Sequence, residues 1–294
     1  MPEAEPLIDD PSSLRTEAEL IARQLEDPDL SAKAAQILHP GAAGRRRAGS
    51  GEQFWQYRRY AQTDGADQVD WRRSARGDDL FVRESELETP RTVLFWVDPD
   101  PGFHWSSAPS RPTKAFRASV LSLALGISLA RHGERIGGLS GAQRPRLGHT
   151  APDHLARLLT DTSPQTPRPP SGTAVAVIAS DFYAPLSAWK TRLTPLLGKC
   201  PQGLFLAVSD PVEETFPFAG RTRFSRPGQT ENRIVGRAET LQAAYLERLA
   251  QNRSDLTSFA TQIGWGVICH TTDQPALPAA AAMQRQMSQF GVRP

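Results

Sequence analysis

The stretch TVLFWVDPD, residues 92–100, decides the fold that the sequence predicts. Its first six residues are uncharged and mostly large or β-branched, which is typical of a strand buried on both faces of a parallel sheet. The run ends at Asp98, where Pro99 stops regular strand pairing. Parallel α/β sheets bind ligands beyond the carboxyl ends of their strands, so we expect Asp98 and Asp100 to lie at a functional edge.

Similar apolar runs recur along the rest of the chain, separated by segments with helical periodicity. Further strands are predicted at residues 135–139, 173–179, 203–208 and 265–269, and helices at 113–132, 152–159, 189–197, 238–263 and 276–290. Residues 212–235 fit neither pattern and are interpreted as an irregular hairpin. Strands that alternate with helices favour right-handed crossovers, and therefore a Rossmann-like, doubly wound, mostly parallel sheet.

Composition narrows the classes of function. The chain has 294 residues and a net charge of +2, from 34 basic and 32 acidic side chains. This balance argues against nucleic acid as the main partner. No uncharged stretch is as long as the roughly 18 apolar residues that a membrane-spanning helix needs, and the acidic start lacks the apolar core of a signal peptide. We therefore expect a cytoplasmic protein without stable membrane insertion.

Residues 44–90 differ from the rest, because charges of both signs alternate there with aromatic residues. Arginine pairs with carboxylates and stacks on aromatic rings, so the segment is predicted to form a small β-rich platform between a helical segment, 1–43, and the α/β domain, 91–294. The network either ties the platform to the α/β domain or presents a docking surface for a partner protein. The predicted partner-binding residues are Arg58, Arg59, Asp70, Trp71, Arg72, Arg76 and Arg83.

The carboxylates that follow the predicted strands are candidates for binding a metal ion. Oxygen ligands suit Mg²⁺ or another divalent cation, and Asp98, Asp100 and Asp181 would supply them if their strands are neighbours. Such a site would permit a metal-dependent phosphoester hydrolase. The alternative is that these aspartates cap helices or accept hydrogen bonds from loop amides.

Sequence motifs for other chemistries are missing. The chain has neither a glycine-rich dinucleotide fingerprint after a strand nor a P-loop, and it lacks the nucleophile elbow of serine hydrolases. Nucleic-acid binding through the arginines of residues 44–76 stays open as a further alternative.

The run from Gly49 to Glu88 resembles the signature of the family known as domain of unknown function 58 (DUF58). The matching elements are Gly49-x-Gly51-x-x-Phe54, Arg58-x-Tyr60, Asp64, Val69-Asp70-Trp71-Arg72, Ala75-Arg76, Leu80-x-Val82-Arg83 and Glu88. The resemblance continues more loosely over two later strand ends, from Val177 to Phe182 and from Val208 to Pro211.

This resemblance implies a fold similar to von Willebrand factor A domains and a role beside MoxR-type AAA+ ATPases. We would then expect a non-enzymatic, chaperone-like adaptor that binds such an ATPase and assembles or activates a client protein. The family fold carries a metal loop of the pattern Asp-x-Ser-x-Ser, which here reads Asp98-Pro99-Asp100-Pro101-Gly102. The resemblance thus implies a degenerate metal site, and it leaves the role of residues 226–294 open.

Overall fold

The structure is a computed structural model that describes residues 11–26, 54–60, 69–75, 79–85, 90–140, 143–163, 166–228, 230 and 232–292. It divides into two compact units. The small unit lies within residues 42–90, and the α/β unit combines the N-terminal helix with residues 91–294.

Helix α1, Pro11–Leu25, belongs to the α/β unit. Its buried residues recur at helical spacing, and Leu14, Ala18 and Ala22 are inaccessible to solvent. They contribute to the same hydrophobic core as the long helix of the α/β unit. The N-terminal segment, predicted as residues 1–43, thus places its described helix in the core of the α/β unit.

The small unit contains a two-stranded antiparallel sheet of β1, Phe54–Arg59, and β2, Phe81–Ser85. A one-turn helix, α2, Trp71–Ser74, lies between them in the chain. It begins at Trp71 because the carboxylate of Asp70 accepts a hydrogen bond from the amide of Arg73 at 3.0 Å.

The α/β unit is built on a five-stranded parallel sheet, which confirms the predicted fold class. Its strands are β3, Thr92–Val97; β4, Arg135–Gly138; β5, Val175–Ser180; β6, Gln202–Ser209; and β9, Trp265–Thr271. Their order across the sheet is β4-β3-β5-β6-β9. Because this order reverses direction around β3, helices cover both faces, as in a doubly wound sheet.

Among the described residues, the remaining elements of the α/β unit are six helices, one 3₁₀ turn and a hairpin that is separate from the sheet. The helices are α3, Lys114–Arg131; α4, Ala151–Leu159; α5, Leu186–Leu197; the short α6, Pro211–Thr215; α7, Gln242–Gln262; and α8, Ala276–Gln289. The 3₁₀ turn, Ala238–Leu241, precedes α7. The hairpin consists of β7, Thr222–Ser225, and β8, Asn232–Val235.

Two hydrophobic clusters hold the sheet between its helices. One contains residues of α1, α3, α4 and α8, and the other contains residues of α5 and α7. Helix α3 is buried over nearly its whole length, in agreement with its almost continuous apolar sequence. In the part of the chain that the structure describes, no helix combines the length and apolar character needed to cross a membrane.

Candidate functional site

The carboxyl edge of the sheet brings the predicted strand-terminal aspartates near one another. Asp98 follows β3, Asp181 follows β5 and Asp210 follows β6, and these three strands are adjacent in the sheet. We call this region the carboxyl edge. Each aspartate there has a different set of partners, and these partners determine what the edge can do.

Asp98 is buried and joins two neighbouring strand ends. Its carboxylate accepts hydrogen bonds from the hydroxyl of Ser180 at 2.7 Å and from the amide of Asp100 at 3.1 Å. Arg192 lies 3.8 Å away. Burial raises the pKa of Asp98, although Ser180, the Asp100 amide and Arg192 act in the opposite direction. The side chain therefore fixes the end of β3 to the end of β5.

Asp100 holds the loop after β3 in place. Its Oδ1 accepts a hydrogen bond from the amide of Gly102 at 2.8 Å, and its Oδ2 accepts one from Arg226 at 3.1 Å. Arg226 follows β7, so this ion pair links the loop to the hairpin. These contacts match the alternative in which the aspartates serve loop amides.

The central charge of the carboxyl edge is Lys114, the first residue of α3. Only 1% of its side chain is exposed, and its ammonium donates to Asp181 at 2.9 Å and to Glu213 at 2.6 Å. The ammonium also lies 5.1 Å from the ring centre of Tyr183, within cation–π range. Burial raises the pKa of Glu213, and the Lys114 charge opposes this shift. Lys114 is thus a buried cation shared by two carboxylates.

Sequence reasoning missed Lys114 as a functional residue. The available signal was a single lysine at the start of a long apolar helix. A lysine that is buried there needs acidic partners for its ammonium group. Thr113 starts that helix, because its hydroxyl accepts a hydrogen bond from the amide of Phe116 at 3.1 Å. The cap explains why the helix begins at Lys114 and points this side chain at the carboxyl edge.

Asp210 joins β6 to two further segments. Its carboxylate caps the short helix α6, accepting from the amide of Val212 at 2.9 Å, and also accepts from the amide of Ser107 at 3.0 Å. The amide of Asp210 donates to Glu213 at 2.9 Å, which completes a capping box. Glu213 therefore connects the cap with the Lys114 ammonium.

These contacts do not fit a divalent-cation site at Asp98, Asp100 and Asp181. Asp98 accepts from Ser180, Asp100 from Arg226, and Asp181 from Lys114. The described residues contain no group of three or more His, Cys, Asp or Glu side chains that could hold a metal ion. The Lys114 ammonium supplies a positive charge to Asp181. The function that we propose does not require a metal ion.

A cavity of about 470 Å³ opens beside this cluster. Its polar walls come from Lys114, Asp181, Glu213, Arg223 and Arg226, and its aromatic walls come from Trp105, Tyr183, Phe216, Phe218, Phe224 and Tyr245. The volume lies within the range typical of ligand pockets. We call this space the aromatic cavity.

Two residues with strained backbone lie in or next to the wall of the aromatic cavity: Phe216 lines it, and Phe182 lies in the chain between the lining residues Asp181 and Tyr183. Among the described residues, only Phe182 and Phe216 are non-glycine residues with positive φ, at 55° and 46°. Phe216 is also the hub of an aromatic cluster, with ring centres 4.8 Å from Tyr245 and 5.1 Å from Phe218. Unfavourable backbone conformations of this kind concentrate at binding and catalytic sites. Their position therefore supports a functional role for this cavity.

In the small unit, the predicted partner-binding residues have distinct roles. Asp70 caps α2, and Arg59 forms an ion pair with Asp79 at 2.9 Å. Trp71 is 61% exposed, and the neighbouring Arg72 is exposed as well.

Three other predicted residues are only partly placed or not placed. Arg58 and Arg83 lie on the paired strands β1 and β2, but their side chains are outside the described part of the structure. Arg76 lies outside the described residues altogether.

Comparison with known proteins gives one match. The sequence model of the family described as "Protein of unknown function DUF58" matches residues 56–255. No curated protein and no solved structure matches the chain. The matched range covers most of the chain, and it includes β2, the carboxyl edge and the aromatic cavity.

Proposed function

The chain belongs to the DUF58 family, and from this premise we propose that it is a non-enzymatic adaptor that binds a MoxR-type AAA+ ATPase and a client protein. The proposed role is chaperone-like assembly or activation of the client. A cytoplasmic location, where the proposed partner acts, is part of this proposal.

The exposure of Trp71 is the observation that carries this proposal. Tryptophan and arginine are enriched among the residues that dominate protein–protein binding energies. Trp71 is 61% exposed and is followed by Arg72, which is exposed too. The Asp70 cap fixes the helix that carries both side chains, so they are presented in a defined geometry. This arrangement suits a preorganised contact with another protein.

The carboxyl edge supports a binding role rather than catalysis. Asp98 accepts from the Ser180 hydroxyl, Asp181 from the Lys114 ammonium and Asp210 from the Ser107 amide, and these bonds connect loops and strand ends. A general acid, a general base or a metal ligand must reach its substrate, whereas these carboxylates are already engaged.

Binding of the purified protein to a purified MoxR-type ATPase from the same organism tests the proposal. The wild-type chain should bind, and Trp71→Ala should weaken the affinity at least tenfold, as expected for a central aromatic anchor. The matched control is Leu147→Ala, which removes an apolar side chain that is 49% exposed in the α/β unit. Biolayer interferometry measures the affinities, and a thermal melt checks that each variant is folded.

Two results would overturn the adaptor proposal. One is that the wild-type chain does not bind the ATPase, either alone or with ATP. The other is that Trp71→Ala and Leu147→Ala bind as tightly as the wild type, because the exposed tryptophan would then contribute nothing.

A further inference from the structure

The hairpin of the α/β unit carries a concentration of positive charge that the adaptor proposal does not use. Between residues 219 and 238 the chain has five arginines and a single acidic residue, Glu231. We call residues 221–237 the arginine hairpin. Its arginines, all exposed, are Arg221, Arg223, Arg226, Arg233 and Arg237.

Most of this charge has no counterpart in the described part of the chain. Arg226 pairs with Asp100 at 3.1 Å. Arg221, Arg223, Arg233 and Arg237 form no ion pair with a described residue, unlike the buried Lys114 nearby. Four exposed guanidinium groups on one small hairpin make a strong local positive field, although the net charge of the whole chain is only +2.

Apolar surface lies directly beside these arginines. Phe224 of β7 contributes to the wall of the aromatic cavity, and Arg223 and Arg226 lie at the same cavity. On the opposite strand, Ile234 pairs with Arg223 in register and is 58% exposed. The surface therefore combines a deep apolar recess, an exposed aliphatic side chain and several cationic groups.

We propose that the aromatic cavity and the arginine hairpin together bind an acidic peptide segment of a partner protein. One large apolar side chain of the peptide enters the cavity, among Phe216, Phe218 and Phe224. Aspartate and glutamate residues on either side of that anchor pair with the guanidinium groups of the hairpin that form no ion pair with a described residue, because guanidinium groups favour bidentate contacts with carboxylates.

The cavity chemistry favours a peptide over a nucleotide or a nucleic acid. Asp181 and Glu213 lie in the cavity wall, so the group that enters the cavity should be uncharged, as the apolar anchor of a peptide is, with the acidic groups of the peptide outside on the arginines. The arginines are distributed along the hairpin, from Arg221 before β7 to Arg237 after β8, rather than gathered at one point around a phosphate group.

Fluorescence anisotropy with a labelled acidic peptide, EDEFDED, tests the proposal on the full-length protein. The wild-type chain should bind it, and the peptide EDEADED should bind at least tenfold more weakly because it lacks the anchor. The double variant Arg223→Glu with Arg233→Glu should weaken binding of EDEFDED at least tenfold, and its binding should depend less on salt. The matched control Arg144→Glu reverses an exposed arginine away from the hairpin and should bind normally.

Several results would overturn the peptide site. They are equal binding of EDEFDED and EDEADED, unchanged binding by the hairpin variant, and equal losses in the hairpin variant and in Arg144→Glu. Displacement of the peptide by ATP or by a short single-stranded oligonucleotide at matched charge would assign the surface to a nucleotide or a nucleic acid instead.

The outcome is independent of the ATPase experiment. Trp71→Ala lies in the small unit and should leave peptide binding unchanged. Failure of the ATPase interaction would therefore leave this site intact, and failure of the peptide interaction would leave the adaptor proposal intact.

Discussion

At the carboxyl edge the central Lys114 ammonium is buried and paired with two carboxylates, whereas the arginines of the hairpin are exposed and, apart from Arg226, form no ion pair with a described residue. Both regions contribute to the wall of the same cavity. A buried ion cannot lose one partner without a large cost, while an exposed arginine costs the fold almost nothing to replace. The contrast indicates that the edge keeps the structure in shape and that the hairpin is available to other molecules.

The largest expected effect on stability is that of Lys114→Met, which removes the buried charge of the carboxyl edge. The substitution removes the buried cation that Asp181 and Glu213 share. Removing one member of a buried ion pair typically costs about 3–5 kcal/mol. We expect the free energy of unfolding at neutral pH, measured by urea denaturation, to fall by about that amount.

Lys199→Met is the matched control for this experiment, because Lys199 is exposed. It should change the free energy of unfolding by less than about 0.5 kcal/mol. If both variants were equally stable, the Lys114 cluster would not be the structural centre of the carboxyl edge.

The next largest effect concerns His270, on β9, which is only 2% exposed. Burial and the charge of Arg117 lower its pKa to about 4 from the ordinary histidine value of 6.5. Between pH 6.5 and pH 4 the unfolded chain therefore binds a proton at His270, whereas the folded chain does not. The contribution of His270 to the free energy of unfolding is highest above pH 6.5 and decreases as the pH falls towards 4. A shift of this size corresponds to about 3 kcal/mol.

His270→Leu should remove this part of the acid destabilisation. Urea denaturation between pH 4 and pH 7 should show a wild-type stability that falls by about 3 kcal/mol more than that of the variant. His149→Leu, which replaces an exposed histidine, is the matched control substitution. Parallel curves for the wild type and His270→Leu would show that this histidine is not held neutral by burial.

The smallest effect sharpens the exposed side of the contrast. The double variant Arg221→Glu with Arg237→Glu reverses two hairpin charges that form no ion pair with the described residues. We expect the melting temperature to stay within about 2 °C of wild type, since surface changes of this kind are within about 0.5 kcal/mol. A clear loss of stability would mean that the hairpin arginines are structural as well.

The sheet was predictable because its strands are distinct in the sequence. All five predicted strands start and end within two residues of the observed β3, β4, β5, β6 and β9, and the long apolar helix matches α3 closely. Continuous apolar runs are a local signal, so burial on both faces can be recognised from the sequence alone. The sequence also predicts a hairpin within residues 212–235, but it does not predict the short helix α6 at the start of that range.

The candidate site was harder to predict because it depends on contacts between distant segments. Asp98 and Asp181 do lie at adjacent strand ends, but Lys114 and Glu213, which determine the chemistry of Asp181, come from two other elements. The aromatic cavity likewise unites rings between Trp105 and Tyr245. Nothing in the local spacing of these residues indicates that they meet, since their separation in the sequence carries no periodic signal.

Gly228, near the tip of the arginine hairpin, places that tip against the loop after β3. Its φ is +78°, and a methyl group added there would lie 2.9 Å from Pro101. Together with the hydrogen bond from Arg226 to Asp100, this close approach holds the hairpin against the loop. The hairpin is therefore braced by a loop that lies more than a hundred residues earlier in the chain, so a binding surface late in the sequence depends on a segment that follows the first strand of the sheet.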